Sequence, residues 1–328
     1  MINKKAIKPV FIFSMPRSGS TLLQRVIATN EQVSTVSEPW ILLPFLYGLK
    51  KEGVYAEYSH FSVYHAIQDL CKEMPNGEEE YLSAVRTAAL HIYGSIAQES
   101  AVYFLDKTPR YALVVEQIIR TFPDGKFIFL WRNPLSVIGS IVETFYLNKW
   151  KLFHSKIDLF DGQANLIEAG KKYSSSALSI KYEDLVKNPY EELGRLEKYL
   201  DLDYDSSKLR SFSSITLNGG RGDPTGAKKY TEISTKSIES WKHAITNPWR
   251  KYWCRKYLNW LGKERLQIMG YDLDELILSL GQAQNKWDTL VSDLLYSLYG
   301  TFYCVLEFKI LKDKYRKIMK RKTIKKHD

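Results

Sequence analysis

Cysteine is scarce. Three residues, Cys71, Cys254 and Cys304, lie too far apart for a metal-ligand cluster, and an odd, scattered set argues against a disulfide framework. A reducing compartment is therefore expected. An apolar segment is also missing ahead of Val10: the opening MINKKAIKP is charged, so neither a secretory signal nor an N-terminal membrane anchor is expected, and the expected location is cytoplasmic. A spanning run is missing at the other end. Residues 294–306 carry no charge, but these 13 residues are bounded by Asp293 and Glu307, whereas a transmembrane helix needs about 20. There are no internal repeats and no low-complexity linker, which excludes solenoid and linker-joined architectures.

What is present is enough for a large core. The chain has 328 residues and is 45% hydrophobic, which fits one large α/β domain with a modest appendage rather than a disordered chain. The net charge of +10 resembles a nucleic-acid signature until it is located. Residues 312–328 hold nine basic side chains against Asp313 and Asp328, so the tail supplies +7 and the body is only mildly basic. No nucleic-acid partner is expected. Just before that tail, Val291, Leu294, Leu295, Leu298, Phe302, Val305 and Leu306 recur at helical spacing. This segment is either a helix packed on the body or an amphipathic helix on an anionic membrane, giving peripheral contact of residues 290–328 with the inner membrane surface.

Apolar strands alternate with helical patterns. Strands are expected over residues 9–15, 102–105, 126–131 and 177–182, and helices over 21–29, 110–122, 135–147 and 189–200. Residues 44–100, rich in tyrosine, read as a mostly helical insertion between the first two strands. The fold class is α/β, a P-loop-like parallel sheet flanked by helices, with a helical C-terminal extension. Ligands of such sheets bind beyond the strand C-termini.

The stretch FIFSMPRSGSTLLQ, residues 11–24, has the strand-turn-helix form of a phosphate loop. Aligned on G-x-x-x-x-G-K-[ST], Ser14 takes the first position, Gly19 is the second glycine, Ser20 replaces the lysine and Thr21 keeps the hydroxyl. Backbone amides from Ser18 to Leu22 at a helix N-terminus cradle an anion, with Arg17 on the loop crest. Without the lysine or a convincing magnesium carboxylate, γ-phosphate chemistry is hard to support, and no metal is expected. The plain alternative is an ordinary turn with serine caps. A second strand-to-helix element, KFIFLWRNPLSVIGS, places Arg132 at a strand end and Ser140 eight residues on, where both can close over one phosphate. Two anion sites on adjacent strands suit a nucleotide with phosphates at both ends.

PRSGSTLL followed by RNPLSVIGS resembles the 5′-phosphosulfate and 3′-phosphate segments of the sulfotransferases that use 3′-phosphoadenosine 5′-phosphosulfate. The resemblance covers residues 10–241. It implies that Pro16, Arg17, Ser18, Gly19, Ser20, Thr21 and Leu22 bind the phosphosulfate and that Arg132 and Ser140 bind the 3′-phosphate. A looser match, Gly219 to Pro224 and then Lys228 and Lys229, implies that Arg221, Gly222 and Lys228 close over the adenosine, unless this is simply a flexible basic loop. Arg17 stands where cytosolic members carry lysine, as in the tyrosylprotein and carbohydrate-type branch, and implies stabilisation of the leaving phosphate. None of His60, His65, His91 or His154 sits in the histidine-base motif of the cytosolic branch.

The same resemblance points to Glu38, in SEPW, as the general base; a capping or ion-paired carboxylate ahead of Pro39 is the other reading. Lys107, in DKTPRY, resembles the KTP segment of bacterial and glycan-modifying members and implies acceptor or sulfuryl positioning; a solvated lysine at a helix start is the alternative. The implied division is a sulfotransferase domain over residues 1–275, an amphipathic extension over 276–311 and a basic tail over 312–328.

The implied reaction is metal-free, in-line transfer of a sulfuryl group to an acceptor hydroxyl. Aromatic residues flanking the expected cleft (Tyr47, Tyr55, Tyr58, Tyr146, Trp150 and Phe153) tilt the acceptor toward a carbohydrate or glycolipid, although most rings pack cores. A kinase-like P-loop phosphotransferase and a non-catalytic, membrane-associated nucleotide-binding protein remain the alternatives.

Overall fold

The computed structural model describes residues 7–50, 59–219, 233–306 and 315. Arg221, Gly222, Lys228, Tyr55, Tyr58 and the basic side chains of the tail lie outside the described residues. Strands β1 (Lys8–Ser14), β2 (Val33–Thr35), β3 (Tyr103–Asp106), β4 (Lys126–Trp131) and β5 (Leu178–Lys181) form one sheet in the order β2-β3-β1-β4-β5, every pairing parallel. Phe11 lies opposite Phe127 of β4 on one side and opposite Asp106 of β3 on the other.

The strands read as apolar runs because both faces are covered. Alternation sends Phe11, Phe13, Phe104, Phe127, Phe129 and Trp131 to one face and Val10, Ile12, Leu105, Ile128, Leu130 and Ile180 to the other. Rings on the first face pack along the sheet, with Phe13 stacked on Phe127 at 6.0 Å and tilted against Phe129 at 5.4 Å.

The second face is covered by α1 (Ser20–Ile27), α8 (Tyr182–Lys187) and α9 (Pro189–Leu200). The first is covered by α2 (Leu42–Leu46), α4 (Glu78–Ile96), α5 (Val115–Thr121), α6 (Pro134–Tyr146), α7 (Gln163–Lys172) and α11 (Pro248–Ile268). Helices α3 (His60–Glu73), α10 (Trp241–Ala244), α12 (Leu273–Gln282) and α13 (Leu290–Leu306) complete the chain.

Three local expectations change. The insertion does not join the first two strands, because β2 precedes it; three residues, Val33-Ser34-Thr35, are too short for a period to register. The helix expected from Arg110 is split into a 3₁₀ turn, Pro109–Leu113, and α5, since Val114 leaves helical geometry at φ −134°. At the C-terminus, α13 meets the body through polar groups and through Tyr303, whose ring packs on Phe153 at 5.3 Å, rather than through its leucine stripe. Asp293 accepts from Arg250 Nε at 2.7 Å and from Asn247 Nδ2 at 2.6 Å, and Trp249 Nε1 donates to Ser297 Oγ at 2.8 Å. Gly300 permits the close approach, because a Cβ there would sit 2.6 Å from the Phe153 ring.

Candidate active site

β1 ends at Ser14, and the chain turns through Arg17 and Gly19, both left-handed at φ +67° and +86°. A glycine is required at the second of these. Its backbone lies against Tyr182, and a Cβ would fall 2.3 Å from that ring. Ser20 then opens α1, whose first-turn amides have no intrahelical acceptors. The cradle is narrower than the full span from Ser18 to Leu22: the Ser18 amide donates to Met15 O and the Leu22 amide to Gly19 O. Among the described residues, the Gly19, Ser20 and Thr21 amides are loop donors left without a backbone acceptor. Pro16 and Arg17 are half-buried, while Ser18, Ser20 and Thr21 are buried.

The second element arrives at the same place. Arg17 Nε donates to Ser140 Oγ at 3.2 Å, although the two are 123 residues apart in the chain. Arg132 Nη1 donates to Arg17 O at 2.7 Å and its Nη2 to Ser237 O at 2.9 Å, while its guanidinium lies 4.4 Å over the Tyr182 ring. Its Nε is buried and has no acceptor. A charged donor in that state is costly in a closed protein and suited to an incoming anion. Arg132 thus both shapes the loop and keeps one nitrogen in reserve.

The third element adds an ion pair. Lys107, at the end of β3, is 2% exposed and donates from Nζ to Glu38 Oε1 at 2.9 Å; the Glu38 side chain is 13% exposed. The solvated-lysine reading is therefore replaced by a buried, paired cation. Lys107 Nζ also reaches Thr21 Oγ1 at 3.5 Å, the outer limit of a hydrogen bond, and Trp40 Nε1 donates to Glu38 Oε2 at 3.2 Å. One carboxylate, one ammonium and the loop hydroxyl meet at the start of α1. A carboxylate in such a place can take a proton, and the cation beside it can steady developing negative charge.

Beneath Lys107 lies a network that no motif announced. Asp106 is fully buried and accepts from Tyr93 Oη at 2.6 Å, Tyr111 Oη at 3.0 Å and Thr108 Oγ1 at 3.1 Å. Burial pushes its carboxyl up to about 6, against the opposing pull of those hydroxyls and of Lys107. The same burial, with the Asp106 charge, raises the Tyr93 and Tyr111 phenols well above their ordinary range.

Tyr182, Ser237 and Ile238 were also missed. Tyr182 Oη pairs with Ser237 Oγ at 2.6 Å, and Ser136 Oγ donates to Ile238 O at 2.9 Å, so a segment near residue 237 straps the Arg132 side of the site. An aromatic one residue past a strand end was the available signal for Tyr182; the strap had none. The chain near the third expected segment touches the site too, since the Ser37 amide donates to Asn218 O at 2.8 Å.

The sequence model of the Sulfotransferase family matches residues 9–206, more than half of the chain. The chain belongs to that family. This sulfotransferase is 23% identical over 247 residues to a putative protein-tyrosine sulfotransferase of Caenorhabditis briggsae, covering 71% of this chain and 80% of that one. It is 25% identical over 270 residues to the nodulation protein NoeE of Sinorhizobium fredii, covering 72% of this chain and 60% of NoeE, less than two thirds of that protein. Among solved structures, the sulfotransferase domain of the Synechococcus PCC 7002 olefin synthase superposes with a TM-score of 0.52 at 25% identity, over 75% of this chain and 91% of that domain. The parallel sheet with its flanking helices is the sulfotransferase fold.

Proposed function

We propose that this sulfotransferase takes its sulfuryl group from 3′-phosphoadenosine 5′-phosphosulfate. The observation that carries the reading is the junction of the two anion elements: Arg17 touches Ser140, and Arg132 holds the Arg17 carbonyl, so one nucleotide can engage both. The amides of Gly19, Ser20 and Thr21, with Arg17, hold the phosphosulfate end, and Arg132 and Ser140 hold the 3′-phosphate. Ser18, Pro16 and Leu22 shape this cradle from within the loop. Arg221, Gly222 and Lys228 belong to the adenosine-closing segment in the same reading.

Glu38 removes the acceptor proton as the acceptor oxygen attacks sulfur in line. The new O–S bond forms as the bond from sulfur to the phosphate oxygen breaks, and the electron pair leaves with the bisphosphate. Lys107 and Arg17 stabilise the charge on the sulfuryl oxygens and the leaving phosphate. The Lys107 pairing holds the Glu38 carboxylate in place, and the base gains freedom when Lys107 turns toward the sulfuryl group.

The acceptor is a hydroxyl compound, and a carbohydrate or glycolipid is favoured. Trp40 beside Glu38 and Phe145, whose ring lies 5.8 Å from the Arg17 guanidinium, are exposed rings at the site, and ring faces suit sugars. A tyrosine hydroxyl is the competing acceptor, on the name of the nematode relative. A cytoplasmic location belongs to the same proposal.

The deciding experiment titrates the purified protein with adenosine 3′,5′-bisphosphate and with ATP plus magnesium. Stabilisation by the bisphosphate is expected; a thermal shift with ATP alone would return the site to phosphoryl transfer. Mass spectrometry after incubation with labelled donor and an acceptor panel separates sugar from tyrosine.

A further inference from the structure

The amphipathic pattern of α13 is mounted inside out. Its polar residues, Asp293 and Ser297, bind Arg250 and Trp249 of the body, while Val291, Leu295, Leu298, Phe302 and Leu306 form the opposite side and are exposed. Leu298 and Phe302 stand 61% and 62% open, in a helix that begins three residues after Trp287, itself 66% exposed. Ordinary packing would bury this stripe and expose the serine and aspartate. The docking is specific, because Asp293 is wholly buried against Arg250 and Asn247. The outward side is therefore held in place.

The geometry points to an anionic lipid bilayer as the occupant of this face. Two features select it over a protein partner. The apolar stripe is carried on a 17-residue helix, long enough to lie along an interface, and no described helix is long and apolar enough to cross one. The sequence that follows, residues 312–328, carries nine basic side chains against two acidic ones, the charge complement of phosphatidylserine-type headgroups. Exposed Trp287 supplies an amphipathic ring of the kind favoured at the headgroup level. Apolar insertion and electrostatic attraction act together, as stable peripheral binding requires. This inference is independent of the donor nucleotide and of Glu38.

The test is co-sedimentation of the full chain with phosphatidylcholine vesicles containing or lacking phosphatidylserine. The wild type is expected to pellet with the anionic vesicles and to be released in part by high salt. The double variant Leu295→Asp/Leu298→Asp alters two open side chains, so its melting temperature and bisphosphate affinity should match the wild type. Its vesicle partition should fall roughly tenfold or more. A second variant, Lys320→Gln/Arg321→Gln/Lys322→Gln, should lose the preference for anionic vesicles while retaining the fold. Wild-type protein that stays in the supernatant with anionic vesicles, or an aspartate variant that pellets like wild type, overturns the proposal. So does a wild-type dimer in light scattering that the aspartate variant converts to monomer without any vesicle binding, because the face then belongs to a second copy.

Discussion

At the scale of single residues, the arrangement separates the roles of charge. Glu38→Gln keeps the size and a donor-acceptor group but cannot take a proton, so transfer should fall by about 10²–10⁴-fold with bisphosphate affinity unchanged. Radiolabelled sulfate transfer measured beside calorimetric titration checks both halves, and unchanged transfer removes Glu38 from the mechanism. Arg132→Ala removes the buried nitrogen and the clamp on Arg17, and should weaken bisphosphate binding roughly 10–100-fold. Asp106 makes a different prediction, about pH. Its folded carboxyl titrates near 6, above the ordinary value of 3.8, so the stability it contributes is full below about 4 and is lost as pH rises through about 6. Asp106→Asn should therefore gain stability relative to wild type at pH 7, by on the order of 2–3 kcal/mol at most, and lose that gain by pH 4. Paired thermal melts across this range decide it, and a constant difference would refute the buried-charge account.

At the scale of elements, the loop and its neighbours act as one piece. Gly19→Ala places a Cβ both in the left-handed region and against Tyr182, and should destabilise the protein by about 1–3 kcal/mol and weaken bisphosphate binding. Adding Tyr182→Leu should recover part of the affinity, because it relieves the clash while the backbone strain stays. Melting and titration of the single and double variants, with Tyr182→Leu alone as the reference for its lost contacts to Arg132 and Ser237, test this; a double variant no better than the product of the two single effects would assign the Gly19→Ala effect to φ. The loop, the first turn of α1 and the Arg132-Ser140 element were all legible in the sequence, since each is a local pattern with a local reason: an apolar strand, a turn residue, a cap. The strap at Ser237 and the Asp106 network were not, because each is made of residues whose meaning arises only when distant segments meet.

At the scale of the whole molecule, the C-terminal helix shows how tertiary contacts override a local pattern. The spacing of Leu294, Leu298 and Phe302 correctly indicated a helix, but not which side would face the body. Arg250 and Asp293 decided that. Asp293→Ala should leave the Arg250 guanidinium buried without its carboxylate, costing about 3–5 kcal/mol at the α13 attachment. Limited proteolysis should then cut first near α13, with the sheet domain intact; cleavage indistinguishable from wild type would show that the pair does not hold the helix.

By itself, the sequence determined the alternation of strands and helices, the glycine of the loop, the placement of Arg132 and Ser140 on one strand-to-helix element, and the location of the excess positive charge. These depend on neighbours within about ten residues, and short-range sterics and periodicity decide them. The tertiary structure alone decided that Lys107 is a buried partner of Glu38, that Arg132 spends two of its nitrogens on backbone carbonyls, and that α13 turns its apolar side outward. Each of those outcomes is a choice between burying a charge with a partner and leaving it in water, and the partner lies tens of residues away in the chain.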